Sequence, residues 1–544
     1  MERKWWKEAV VYQIYPRSFK DSNGDGIGDL RGIIEKLDYL KDLGVDIIWL
    51  TPIYNSPNDD NGYDIADYYQ IMDEFGNMDD FSFLLEEVHK RGLRLILDLV
   101  INHTSDEHEW FVESRSSRDN PKRDYYIWRQ PRDGKEPNNW LSRFSGPAWE
   151  YDEKTGEYYL HLFSKKQVDL NWRNPEVKKE IFRMIDWWLK KGIDGFRMDV
   201  INFIGKAEGL PDAKEPDSSE CYINQALVHE VLQDLHEEVI SKYDVMTVGE
   251  TPHVDLETIK LYVRKDRKEL DMVFSFEHVE LDDFTGDNFQ KFKNLQQEGY
   301  SIIKEDGWVT QFLENHDQPR SVSKFADDKK YRSESAKMLA TMLLTLPGTA
   351  YIYQGQEIGM TNVEFSSIDD YNDIRTRNKY KEEISKGRIR EEVLKELQPV
   401  SRDNSRTPMQ WNNSTNAGFS TGKPWLKVNP NYTEINVENQ LRDPDSILNY
   451  YKKLLAFRKK YKALVYGSFQ SLINNDPHLY TYLRKLDKQV IFVLLNNSRY
   501  REEFDPDILN FKKRRLLISN YTLDEDRVEK GVLHPYEARL YIVQ

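Results

Sequence analysis

Runs of apolar residues with no polar alternation recur along the chain, and most are separated by stretches whose apolar positions repeat every three to four residues. Ala9 to Tyr15, Val45 to Leu50 and Leu93 to Val100 are the first three such runs. Between them, Leu30 to Leu43 and Asp79 to Arg91 carry helical spacing. Strands that lack polar alternation are buried on both faces, which is the situation of a parallel sheet covered by helices. From Thr104 to about Gln167 this rhythm stops, and Trp, Tyr, Arg, Asp and Gly dominate, with short strand-like pieces such as Tyr158 to Phe163. The rhythm resumes with a helix over Glu176 to Lys191, the strand Gly195 to Val200, a helix around Asn224 to Ser241 and the strand Val245 to Glu250. Met272 to Phe276, Trp308 to Asp317 and Thr349 to Tyr353 complete eight strands.

Eight β/α units predict an α/β fold of the (β/α)8 TIM-barrel type. The expected organisation is barrel over 1–103, an inserted small domain over 104–167, and barrel again over 168–466. A long polar excursion occupies 354–445, with helical charge patterning at Lys379 to Leu397, before a closing helix at Ile447 to Tyr461. From 467 to 544 the period drops to two, as in Leu479 to Leu483 and Gln489 to Leu495, predicting a C-terminal antiparallel β domain.

Composition narrows the function. The chain has 544 residues, 77 Lys plus Arg and 93 Asp plus Glu, for a net charge of −16. This balance speaks against nucleic acid or a membrane surface as partner and suits a neutral small molecule. Cys221 is the sole cysteine, so no internal disulfide forms. The start of the sequence has no signal-peptide core, and the apolar stretch Met338 to Tyr353 is broken by Pro347 and Gly348 and is too short to span a bilayer. A cytoplasmic location is expected.

In such a barrel, functional side chains gather at the C-terminal ends of strands. Asp199, Glu250 and Asp317 all hold that position. Arg197 and Asp199 lie two apart on one strand and share a face. The guanidinium is expected to keep Asp199 ionised, whereas the apolar strand before Glu250 is expected to raise its pKa. A carboxylate that attacks and a carboxylic acid that protonates are the two groups retaining glycoside hydrolysis needs. A single strand-end acid is more often structural, but three on separate strands reverse those odds. His103 and His316 stand at strand ends where they can hydrogen-bond sugar hydroxyls, and Asp60 and Tyr63 lie in the loop after the second strand.

Asp21, Asn23 and Asp25 alternate with Gly-containing positions, followed by Ile27 and Asp29. The spacing is similar to the first half of a calcium loop, with the Ile27 carbonyl as a ligand; an acidic turn that binds nothing is the alternative.

Asp98-Leu99-Val100-Ile101-Asn102-His103, Gly195 to Val200, Gly249-Glu250 and Glu314-Asn315-His316-Asp317 resemble, in order, the four signature regions of the α-amylase superfamily. Within it the chain looks like the oligo-1,6-glucosidase and dextran glucosidase group, with support from Gln167 to Trp172, Asn315 to Arg320 and Ser401 to Trp411. The resemblance implies Asp199 as nucleophile, Glu250 as acid/base and Asp317 as transition-state stabiliser. It implies that Asp60, Tyr63, His103, Arg197, His316 and Arg406 bind the terminal glucose, and that an Asp60–Arg406 pair closes the pocket end. Phe144 and Phe163 would form aromatic walls, and Val200 would favour α-1,6 linkages. Two departures stand out: Val168 replaces the proline usual in its motif, and Thr251-Pro252-His253 differs from most versions of the loop after the acid, which in the family helps shape the site for the second sugar. Relatives carry Ca2+ at a loop like Asp21 to Asp29.

The expected function is exo-acting, retaining hydrolysis of α-1,6 bonds in isomalto-oligosaccharides or short dextrans. The alternatives are an α-1,4-glucosidase, a trehalose-6-phosphate hydrolase, a sucrose isomerase and a non-catalytic scaffold of the same fold. The expected partner is a small α-gluco-oligosaccharide; the oligomeric state is left open, a monomer being sufficient.

Overall fold

The computed structural model describes residues 2–473, 475–522 and 531–544. Eight parallel strands form the central sheet: β1 (Val10–Ile14), β2 (Ile47–Leu50), β3 (Arg94–Val100), β4 (Gly195–Asp199), β5 (Met246–Glu250), β6 (Met272–Phe274), β7 (Thr310–Gln311) and β8 (Thr349–Tyr353). Their order, β6-β5-β4-β3-β2-β1-β8-β7, follows the chain around a barrel. Across the remaining seam the Thr310 hydroxyl donates to the Val273 carbonyl at 3.0 Å, so a side chain joins β7 to β6. β1, β2, β4, β5 and β8 are buried throughout, as strands covered on both faces must be.

β4 begins at a position only glycine tolerates. Gly195 has φ +147°, and a Cβ there would meet the Met246 carbonyl oxygen at 2.0 Å. This close approach sets β4 against β5 and hence the acids at their ends against each other.

One strand is much shorter than its sequence pattern. The expected strand Trp308 to Asp317 pairs only over Thr310–Gln311. Beyond it the polar side chains make local bonds that compete with the ladder: Glu314 pairs with Arg320 at 3.1 Å, and Asn315 Oδ1 accepts the N–H of Asp317 at 2.8 Å. Asp317 therefore sits in a turn past the strand. The Lys379 to Leu397 pattern is likewise two helices, Ile374–Ser385 and Arg390–Leu397, interrupted by Gly387 at φ +84°.

The excursion after β3 leaves and returns through a short antiparallel pair, His103–Ser105 with Gln167–Asp169, in which His103 faces Asp169. Between these necks lies a three-stranded antiparallel sheet of Trp128–Arg129, Glu157–Leu160 and Trp149–Asp152. After the closing helix Ile447–Lys460, a five-stranded antiparallel sheet runs from Ser468–Ser471 to Ala538–Val543. Among the described residues no helix is long and apolar enough to cross a membrane.

Candidate active site

At the C-terminal ends of the strands, a cavity of about 200 Å³ is lined by Asp60, Tyr63, His103, Phe144, Phe163, Asp199, Val200, Glu250 and Asp317. The barrel supplies the acids, the loop after β2 supplies Asp60 and Tyr63, and the excursion after β3 supplies the two phenylalanines. Their rings meet edge to face at 5.6 Å.

Beneath the cavity floor lies Arg197, 1 % exposed. Its Nη1 donates to Asp98 Oδ1 at 2.7 Å and to Asp199 Oδ1 at 2.6 Å, and its Nη2 lies 2.7 Å from Glu250 Oε2. One cation thus faces three carboxylates. Burial pushes the Asp199 carboxyl well above its ordinary range; Arg197 opposes this, and the charges of Glu250 and Asp98 add to it. Burial likewise raises Asp98 to about 6 against the pull of Arg197. Arg197 does touch Asp199, as the sequence leads one to expect, but it is shared with Asp98 and Glu250. Glu250 ends a buried strand, as expected, but its carboxyl is also met by polar groups: Oε2 touches Arg197 and accepts the Val200 N–H at 3.0 Å.

Asp317 has the opposite environment. Burial works against its charge, but His316, Arg402 and Arg406 more than offset it and hold the carboxyl far below its ordinary range. Burial pushes His316 itself down to about 3, so at neutral pH the two arginines carry the effect. His316 is held between Gln13 and Tyr63, each at 2.7 Å.

The pocket end differs from the sequence expectation. Asp60 pairs with Arg402, at 3.0 Å, and not with Arg406. Arg402 also meets Asp373 at 2.7 Å and stacks over Phe144 at 5.2 Å. Arg406 donates instead to Asp317 and to the His316 carbonyl. The two arginines flank the one-turn helix Asp403–Arg406; both reach Asp317, but only Arg402 also meets Asp60 and Asp373. Arg197, His316 and Arg406 are all buried and face carboxylates rather than the open cavity. Arg143, Gln167, Phe203, Pro252, Phe276, Gln318, Arg375 and Arg402 also line the cavity, and Asp98 lies below it. Arg402 had a signal, four positions before Arg406 in the same polar run; Arg143 and Arg375 had none.

Away from this site, the Asp21 to Asp29 loop folds through its own side chains. Asp21 accepts the N–H groups of Asn23, Gly24 and Gly26 at 2.9, 2.7 and 2.8 Å, Asn23 accepts that of Asp25 at 2.9 Å, and Asp25 that of Ile27 at 2.8 Å. Asp29 caps the helix Leu30–Glu35. Among the described residues no group of three or more His, Cys, Asp or Glu side chains is arranged to hold a metal.

The family model described as "Alpha amylase, catalytic domain" matches residues 13–467. Along the whole chain and the whole relative, the sequence is 57% identical over 561 aligned residues to the oligo-1,6-glucosidase of Parageobacillus thermoglucosidasius. It is 53% identical over 555 residues to that of Bacillus cereus, covering 99% of this chain and 100% of the relative. The crystal structure of Bacillus licheniformis trehalose-6-phosphate hydrolase superposes with a TM-score of 0.93 at 47% identity, over 100% of both chains.

Proposed function

The chain belongs to the alpha-amylase family and is a glycoside hydrolase; from that premise we propose a retaining, exo-acting α-glucosidase that removes glucose from α-1,6-linked non-reducing ends of isomalto-oligosaccharides or short dextrans. The observation that supports it best is Arg197, which touches Asp199 and Glu250 with adjacent nitrogens under one cavity. A single guanidinium spanning both carboxyls keeps them close, as retaining chemistry requires, whereas inverting enzymes leave room for a water between them. Asp199 attacks the anomeric carbon, Glu250 protonates the departing oxygen, and Asp317, held ionised, grips ring hydroxyls as positive charge develops. The Asp60–Arg402 pair closes one end of the cavity, which supports removal of single terminal units. The α-1,6 preference is supported by Val200 in the cavity wall and by the names of the two relatives.

A second reading has one specific observation in its favour. Arg143 and Arg375 line the cavity beside Arg402, and such a cluster suits a phosphorylated sugar. Rates on isomaltose, maltose, trehalose 6-phosphate and sucrose separate the possibilities. The anomer first released, followed by NMR, tests retention: α-glucose is expected, and β-glucose refutes the roles given to Asp199 and Glu250.

Structural calcium at Asp21, Asn23, Asp25, the Ile27 carbonyl and Asp29 is part of the proposal. An all-oxygen donor set suits that hard cation. Elemental analysis of purified protein tests it, with less than one equivalent of calcium refuting it. A cytoplasmic location also belongs here, supported by the lone Cys221.

A further inference from the structure

Val200, directly after Asp199, has φ +34° and ψ +43°. A β-branched side chain is crowded against its own backbone in this left-handed region, so the surroundings must impose it. They do so from several sides. The Val200 carbonyl accepts the Phe203 N–H at 2.8 Å, closing the turn Ile201–Phe203. Asn202, fully buried, donates to the Pro252 carbonyl at 2.9 Å and ties that turn to the loop after β5. The side chain itself packs into an apolar cluster with Phe203 and Tyr222.

The outcome of this conformation is the direction of one N–H, which donates to Glu250 Oε2 at 3.0 Å. Arg197 Nη2 approaches the same oxygen at 2.7 Å. Oε2 therefore faces two donors, and a proton placed on it would meet N–H groups from both sides. Oε1 makes no hydrogen bond to any described residue, and Glu250 lines the cavity. The same asymmetry holds for Asp199, whose Oδ1 is taken by Arg197.

Resting on the glucosidase reading above, we propose that the Val200 N–H, held by its left-handed backbone, is a positioning group that reserves Glu250 Oε2 as an acceptor and so places the transferable proton on Oε1. In the first step the Oε1 proton passes to the glycosidic oxygen, which takes the electron pair of the breaking C1–O bond while Asp199 Oδ2 bonds to C1. In the second step a water gives its proton back to Oε1, its oxygen bonds to C1, and the bond to Asp199 breaks. The backbone of Val200 thus serves proton delivery while its side chain lines the cavity.

The test replaces Val200 by α-hydroxyisovalerate through nonsense suppression, exchanging the N–H for an ester oxygen and keeping the side chain. Turnover is measured on aryl α-glucosides of graded leaving-group pKa, alongside Val200→Gly, which tolerates positive φ and keeps the N–H. The ester is expected to lose about tenfold or more in kcat/KM on phenyl α-glucoside, a fraction of a general acid's contribution. It should lose little on 2,4-dinitrophenyl α-glucoside, whose leaving group departs without a proton, while Val200→Gly should lose activity by a similar factor on every aryl glucoside, whatever its leaving-group pKa. A steeper slope in Val200→Gly with none in the ester overturns the proposal and assigns the effect to the side chain. Failure of the unmodified protein to cleave any aryl α-glucoside refutes the glucosidase reading instead. Should the ester protein fail to fold, neutron diffraction of the unmodified protein at acid pH decides: a deuteron on Glu250 Oε1 supports the proposal and one on Oε2 overturns it.

Discussion

Replacing Arg402 by leucine removes the cation at the closed end of the cavity. Arg402 is buried and meets Asp60 at 3.0 Å, Asp373 at 2.7 Å and Asp317 at 3.4 Å. A hydrogen bond to a charged group contributes about 1.5–3 kcal/mol. If the Asp60–Arg402 pair holds the terminal sugar's hydroxyls, loss of either partner should lower kcat/KM on isomaltose by about 10- to 100-fold, at about 1.4 kcal/mol per tenfold. Stability should also fall by about 3–5 kcal/mol, because buried carboxylates are left without their partner. Activity must therefore be measured below the melting transition, confirmed by circular dichroism. The decisive assay is a double-mutant cycle. Asp60→Asn and Arg402→Leu should be strongly non-additive, with about 1–3 kcal/mol of coupling, while Asp60→Asn and Arg406→Leu should couple less. Additivity of the first pair together with coupling of the second would refute the geometry and return the gate to Arg406.

Asp199→Asn should keep its fold and lose about 10⁴-fold or more in kcat, since it removes the nucleophile; activity within tenfold of the unmodified protein excludes that role. Arg197→Met leaves three buried carboxylates facing one another and should cost about 3–5 kcal/mol in denaturant unfolding, with no cost showing that the shared guanidinium does not matter to the fold. His108 is buried and pushed down to about 3, and its ring accepts the Trp110 N–H at 3.1 Å as a helix cap. With its folded pKa below its unfolded value of about 6.5, the unfolded chain takes up the proton first, so stability falls as pH drops below about 6.5. His108→Asn keeps a capping acceptor and removes that titration. It should match the unmodified protein at pH 7 and exceed it by about 2 kcal/mol at pH 5, and parallel pH dependences would contradict this.

The barrel and the identity of the acids at its rim were legible in the order of residues. Eight apolar runs without alternation can be satisfied only by burial on both faces, and a strand's direction fixes which end its last residue occupies, so Asp199 and Glu250 were legible as neighbours before any contact was known. Periodicity is a local property, and local properties survive in one dimension. It failed where polar side chains overruled it, in the segment after Gln311, where Glu314 and Asn315 bond to nearby residues and end the strand early. Who pairs with whom emerged only when the chain closed on itself. Arg197 was expected to serve one carboxylate and serves three; Asp60 was assigned to Arg406 and pairs with Arg402; Arg143 and Arg375 reach the cavity from segments whose pattern showed nothing of it. Charge pairing acts over a few ångströms, and at the site it joins Asp60 to Arg402, 342 positions apart. Nothing in the order of residues records that distance until the barrel closes. The stretch after Asp199 shows both sides of this. Val200 stood out in the sequence only through a family resemblance that bears on linkage, and the direction of its N–H follows from a left-handed turn imposed by packing against the neighbouring loop.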